Sequence, residues 1–435
     1  MIMSKTLRQL ARLSRRLWLR SALFSLLAVV TALLALPVKP YIPANLPGRI
    51  GSDAVDNLLT ILGSSMLTVT TFTLNIMISS YASVSGSATP RATRLLIEDP
   101  TSQNVLATFL GSFLFSLVGI IVLKTGLYGD QGRVVLFIVT IFVVAMIVAT
   151  FLRWIGHLST LGRLSDAVDR VEEATREALQ WRLEHPWLGG LPPVAEQGRL
   201  EGAIAVFTPQ IGFIDHVDVA ALDAAAESFR GTVHICAQPG AFVDPTRPVA
   251  YFETAREDGE PPADRDPREV ICGCFNIATT RSYEQDPRFG ILVLSEIASR
   301  ALSPAVNDPG TAIDVMSRLV RLLALLRERE NLRPEETLYP RVHAPPLRTR
   351  DLMNDAFRAI ARDGAALFEV GVRLQKSLAI LARLGVPQLS EAAMEQSAIA
   401  LARAEAALTV EQDRAWVRIL ASRVDPASAS GEARG

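Results

Sequence analysis

From Leu58 to Tyr81 the chain reads LLTILGSSMLTVTTFTLNIMISSY, an uninterrupted run without a charge, long enough to cross a bilayer and crowded with hydroxyls. Wound as a helix at about 100° per residue, it places Thr60, Ser64, Thr68, Thr71, Asn75 and Ser79 on one face, and Asp53 and Asn57 extend that face upstream. Polar groups are costly against lipid, so such a stripe turns toward protein or water. Asn75 asks most strongly for a partner, because its amide does not bond back to its own helix as a hydroxyl does. Two readings are open. Small hydroxylated side chains let neighbouring helices approach and bond across the contact. Alternatively, copies of the helix from several subunits surround a wet path, with Leu67 and Ile78 as apolar collars at the margins of the stripe. Ser65, Thr70, Thr73 and Ser80 lie off the stripe, so hydroxyls are tolerated on other faces too.

The surrounding composition supports a membrane setting. Over 435 residues, 49% are hydrophobic and only 20% charged. A mean hydropathy of +0.26 is too apolar for an ordinary soluble enzyme, and the excess sits in the first third. The net charge of −1 gives no electrostatic reason to expect a nucleic-acid partner. Three cysteines, Cys236, Cys272 and Cys274, form no disulfide framework and suit a reducing compartment.

Residues 1–20 interleave Lys5, Arg8, Arg12, Arg15, Arg16 and Arg20 with leucines and Trp18, the pattern of a basic amphipathic helix on anionic headgroups. A transmembrane domain at 17–158 is then expected, with spans at about 17–36, 58–81, 105–123 and 134–152. Ser112 with Ser116, and Ala145 with Ala149, offer small contact faces on the last two spans. Basic residues around Arg91 and Arg153 and in the amino-terminal arm outweigh those of the opposite loops, which puts both termini in the cytoplasm. A connecting helix and proline-rich linker fill 159–195, and β-prone runs separated by Gly/Pro turns make 196–280 a small β domain, a barrel or sandwich. Asp286-Pro287 and Asp308-Pro309 start two helices by aspartate cap and first-turn proline. Two longer helices, 351–384 and 390–424, complete a helical domain at 281–424, and 425–435 is a disordered tail.

The run RSYEQDPRFGILVLSEIASRALSPAVNDPGTA at 281–312, with SSMLTVTTFTLNIMISSYAS followed by Pro90-Arg91, resembles a family of predicted bacterial membrane proteins, domain of unknown function number twenty-two fifty-four. The likeness covers nearly the whole chain. It implies the architecture of an integral membrane α-helical bundle of four transmembrane helices, then a cytoplasmic α+β domain with a small β-barrel and carboxyl-terminal helices, in the bacterial inner membrane. It carries over no established activity. IGFIDHVDVAAL and QPGAFVDPTRPVAYF also look like the halves of a biotinyl-type barrel, but no lysine stands where the group would attach.

His234, Cys236, Cys272 and Cys274 suggest a metal set if two i, i+2 pairs share a strand face, but neither pair has the two-residue gap of a zinc knuckle, so no metal is expected. Asp215, His216 and Asp218 sit at a strand-to-helix turn, where Asp218 more simply caps the helix. Ser303, Asn307 and Asp308 are turn and cap formers. Arg281, Glu284, Glu296 and Arg300 add charge beside them, and together the seven form a candidate interface or anion site. No nucleophile elbow, zinc-protease motif or phosphate-cradling glycine loop appears, so neither enzymatic chemistry nor a cofactor is expected. The expected function is a homo-oligomeric channel for ions or small solutes lined by the second span and assembled or gated by the cytoplasmic domain. The rival is a membrane-anchored regulatory or scaffold protein.

Overall fold

A computed structural model of the protein describes residues 52–97, 99–125, 129–159, 161–194, 202–254, 266–330 and 337–425, with isolated helical positions between 22 and 30. The first expected span, 17–36, lies outside the described residues apart from those positions, as do the amino-terminal amphipathic helix and the tail from 426. The chain divides into two compact units near Ala167.

The first unit is built on α1 (Ser52–Ser87), α3 (Pro100–Lys124) and α4 (Gly129–Leu158), with the short α2 (Pro90–Ile97) between α1 and α3. α1, α3 and α4 are the three described helices long and apolar enough to cross a membrane. In hydrocarbon every backbone N–H and C=O must be satisfied internally, so even the β-branched, threonine-rich 58–81 run winds as helix. α1 and α3 run antiparallel. A Cβ placed on Gly119 would meet Leu59 at 3.2 Å, and one on Gly63 would meet Ser116 at 3.7 Å, so Ser112 and Ser116 do form a close contact face. Ala145 and Ala149 are exposed among the described residues, where α4 buries Val143, Ile147 and Trp154. These join Val55, Leu59, Met66, Met77, Phe109 and Phe115 in the core, where large side chains fill more of the interhelical space than alanines would.

The second unit takes up α5 (Leu164–Glu184), the expected connecting helix, which Pro186 ends. Its β part comprises β1 (Ile204–Phe207), β2 (Gly212–Val217), α6 (Val219–Ser228), β3 (Gly231–Ile235), β4 (Phe242–Val243), β5 (Pro248–Thr254), α7 (Pro267–Cys272) and β6 (Phe275–Ala278). The expected barrel is a misreading. The strands form two separate sheets, β1-β5-β3-β7 and β4-β2-β6, with no closed barrel among the described residues. β7 (Val342–His343) arrives from far along the chain to pair in parallel with β3, and that long-range partner left no local trace in the sequence. VICGCFNIA, residues 270–278, is β-prone in composition but half helix: Asp266 accepts from Arg268 N at 2.8 Å and Pro267 opens α7, the same cap-plus-proline device that starts α3, α8 and α9.

The helical part comprises α8 (Pro287–Ala301), α9 (Pro309–Ala324), α10 (Thr349–Asp363), α11 (Phe368–Ala382), α12 (Pro387–Ala407) and α13 (Glu411–Ser422). Each of the two long helices expected at 351–384 and 390–424 is broken in two. Gly364 ends α10, where any Cβ would collide with Val370, and Leu408 turns extended at ψ 130° to end α12. Folding the helices back this way lets α10 pack on both α8 and α12, and α11 on α9, α12 and α13.

Candidate functional site

All eight residues of the expected stripe and its collars, Thr60, Ser64, Leu67, Thr68, Thr71, Asn75, Ile78 and Ser79, are exposed along one face of α1. The opposite face is the one that packs, through Val55, Leu59, Met66, Thr73 and Met77. Among the described residues the stripe makes no hydrogen bond to α3 or α4. Three hydroxyls are turned back onto their own helix: Ser64 donates to Thr60 O at 3.0 Å, Thr68 to Ser64 O at 3.1 Å and Thr71 to Leu67 O at 2.9 Å. That arrangement satisfies the donors and leaves acceptor lone pairs facing outward. Asn75 makes no hydrogen bond among the described residues and stands exposed between Leu74 and Ile76.

At the end of the spans where α3 begins, Asp99 caps α3 by accepting from Ser102 N at 2.7 Å and also meets His157 Nε2, on the last turn of α4, at 3.2 Å. Ser102 Oγ lies 3.4 Å from the same nitrogen. The cap was legible from Asp99-Pro100. The histidine was not, because nothing local links residues 55 or more positions apart.

In the second candidate site Arg281 has a buried acidic neighbour, and Ser303, Asn307 and Asp308 share one turn. Arg281 donates from Nε and Nη2 to the two oxygens of Asp286 at 2.7 and 3.0 Å and lies over the Phe289 ring at 5.2 Å. Burial pushes the Asp286 carboxyl above the usual carboxylate range, against the pull of Arg281. Asp286 also caps α8 through Phe289 N at 3.2 Å, so reading it as a cap missed its second role as the partner of Arg281. Asn307, at φ 50°, and Asp308 form the turn into α9. Asp308 accepts from Thr311 N at 3.0 Å and Thr311 Oγ1 at 2.6 Å, bonds that hold its carboxyl below the ordinary value. Ser303 belongs to the same turn, accepting from Asn307 N through its carbonyl at 2.8 Å, while Glu284 and Arg300 are exposed and Glu296 half-buried.

A denser charge cluster lies elsewhere in this unit. Buried Glu172 on α5 accepts from Arg176 at 3.1 Å, Arg318 at 2.9 Å and Arg321 at 2.9 Å, and Arg318 also bonds Asp169 and Asp314. Together they clamp α5 to α9. Arg288 likewise ties α8 to α10 through Asp351 at 3.0 Å and Asp355 at 2.7 Å.

The proposed soft-ligand set does not converge. Cys272 ends α7 and Cys274 follows it, so they share no strand face, and the three cysteines are free thiols. His234 instead bonds Glu253 at 3.1 Å and stacks on His343 with ring centroids 4.8 Å apart. No group of three His, Cys, Asp or Glu suited to a metal occurs among the described residues. Asp215 accepts from Asn276 at 2.9 Å and Asp218 caps α6 through Ala221 N at 3.1 Å, the simpler of their two readings.

The sequence model of a family described as "Predicted membrane protein (DUF2254)" matches residues 14–380. Uncharacterised proteins of Mycobacterium bovis and Mycobacterium tuberculosis are each 24% identical to the chain over 276 residues, 62% of this chain and 52% of theirs. The chain thus spans about half the length of the curated relatives it matches. No solved structure matches it.

Proposed function

The chain belongs to the DUF2254 family of predicted membrane proteins, and from that premise we propose that it is a homo-oligomeric channel for ions or small solutes, lined by α1. Four spans in a bacterial inner membrane, both termini in the cytoplasm, and a cytoplasmic domain that assembles or gates the path complete the proposal; it includes no enzymatic step. One observation carries it: a polar stripe from Thr60 to Ser79 that is exposed on a span whose opposite face packs among the described residues. Facing lipid, that stripe is a standing cost. Facing its own copies around an axis, it lines a wet path, with Leu67 and Ile78 as collars that close by dewetting.

The rival reading, a membrane-anchored scaffold or regulator, also has an observation in its favour. Ser64, Thr68 and Thr71 bond back to their own helix, which lowers the cost of facing lipid. Ion flux through reconstituted liposomes separates the two. Leu67→Ser should wet the constriction and raise leak, and Thr68→Leu should dry it. No flux from wild type and Leu67→Ser alike, across monovalent and divalent ions and with membrane tension applied, overturns the channel in favour of the scaffold.

A further inference from the structure

We infer that the stacked pair His234 and His343 is an acid-operated latch, which holds residues 339–344 between β3 and the turn after α5 and releases them as the two rings take up protons. The reading holds whether or not α1 conducts.

This strap is gripped along both edges. On one, β7 pairs in parallel with β3, and Val233 N donates to Arg341 O at 2.9 Å. On the other, Leu191 N donates to Val342 O at 2.8 Å, Ala344 N to Leu191 O at 3.1 Å and Tyr339 N to Gly189 O at 3.0 Å. His343 belongs to both edges: its ring stacks on that of His234 with centroids 4.8 Å apart and planes 9° from parallel, and its Nδ1 lies 2.6 Å from Pro192 O. The turn held in this way is strained. Trp187 and Leu188 stand at φ 51° and 61°, where a side chain is crowded by its own backbone, and Gly189 continues the left-handed run at φ 84°. Such a turn persists only while its surroundings fix it. Val342 O presses close enough that a Cβ on Gly190 would meet it at 2.2 Å. Relief of the turn therefore favours opening once the strap loosens.

The two rings supply the trigger. A carbonyl or carboxylate oxygen only accepts, so His343 donates from Nδ1 to Pro192 O and His234 from Nε2 to Glu253 at 3.1 Å. With both rings neutral, one nitrogen of each is left to protonate. Two imidazolium rings face to face repel, and Glu253 on β5 offsets one positive charge but not two. Of the other groups on the packed elements, Tyr251 lies opposite His234 on β5, and Arg341 on the strap is held by Asp223 and Glu227 of α6. Beyond the strap, Arg182 of α5 donates to Pro345 O at 3.0 Å and Gln238 to Pro346 O at 2.9 Å, contacts that do not titrate here and that confine release to residues 339–344. Burial holds His234 below its ordinary pKa of 6.5, with the hydrogen bond to Glu253 opposing and the charge of His343 assisting. An imidazole released into water titrates near about 6.5. The open form thus takes up protons that the closed form refuses, and opening grows as pH falls below that value.

The test is amide hydrogen exchange on the full chain in nanodiscs at pH 7.5 and pH 5.5, compared as protection factors so that the intrinsic pH dependence of exchange drops out. Protection of residues 187–192 and 339–344 should fall at pH 5.5 by up to about ten-fold for each proton the closed form withholds, while α10, α11 and α12 keep theirs. His234→Phe/His343→Phe retains two rings that stack but cannot charge, and should remove the pH response. His185, beside the turn, stacks instead on Trp181 at 4.9 Å, so His185→Gln should preserve the response. Equal protection at both pH values overturns the inference, as does a loss shared equally by α10, α11 and α12. A response retained in the double phenylalanine variant, or lost in His185→Gln, overturns it too. Should the phenylalanine variant fail to fold, the wild-type and His185→Gln comparisons decide.

Discussion

At the scale of single residues, the short polar side chains that punctuate this chain are mostly committed to its backbone. Asp308 illustrates it: both its oxygens are used by Thr311, so Asp308→Ala should cost about 1 kcal/mol of stability in chemical denaturation. If the turn were instead an assembly contact, the same variant would lower oligomer mass while leaving the denaturation midpoint in place. His234 has a different consequence. Burial lowers its pKa from 6.5, opposed by the hydrogen bond to Glu253 and reinforced by His343 stacked on it. The unfolded chain then takes up a proton near pH 6.5 that the folded one refuses until lower pH. Stability of the second unit from this group is complete above about pH 6.5 and falls as pH drops from there through the folded pKa. Thermal melts from pH 7.5 down to pH 5.5 should show that loss, and His234→Gln should flatten it; an unchanged slope in the variant would assign the effect elsewhere.

At the scale of elements, the connecting helix α5 is held by two contacts of different kinds. Glu172 takes three arginines, and Glu172→Ala should cost about 1–3 kcal/mol, since Arg321 loses both of its bonds to that carboxylate while Arg318 keeps Asp169 and Asp314. Glu172→Gln, which keeps the volume, separates charge from packing. The second contact is steric. A Cβ on Gly290 would overlap Thr175 Oγ1, so α8 and α5 approach as closely as glycine permits. Gly290→Val should therefore destabilise by about 1–3 kcal/mol, and Thr175→Gly in the same chain should recover part of it. A strictly additive double variant in denaturant titrations would refute the contact.

At the scale of the whole molecule, the proposed channel requires several copies of the exposed stripe on α1 to meet around an axis. Light scattering in detergent should give a mass that is a multiple of 47.3 kDa, and Asn75→Leu should weaken assembly, since Asn75 makes no hydrogen bond among the described residues. A monomer would remove the symmetric path that the channel proposal requires. Reporter fusions after residue 44 and in the loop between Lys124 and Arg133 should report the periplasm, and fusions after Pro90 and at the carboxyl terminus the cytoplasm.

What the sequence determined by itself was whatever is encoded locally. The apolar runs had to become helices because hydrocarbon leaves a backbone no other partner, and Asp-Pro pairs marked where α3, α8 and α9 begin. The polar face of α1 was legible from its period, but which way it turned was not. That depended on Leu59 and Met66 finding Phe115 and its neighbours across the bundle. Tertiary structure alone decided the strand pairing, because β7 joins β3 across more than a hundred residues and a register carries no local signal. It also decided the charge clusters: Glu172 with Arg318, Asp99 with His157 and His234 with His343 are each a pair of ordinary polar residues until packing removes the water between them.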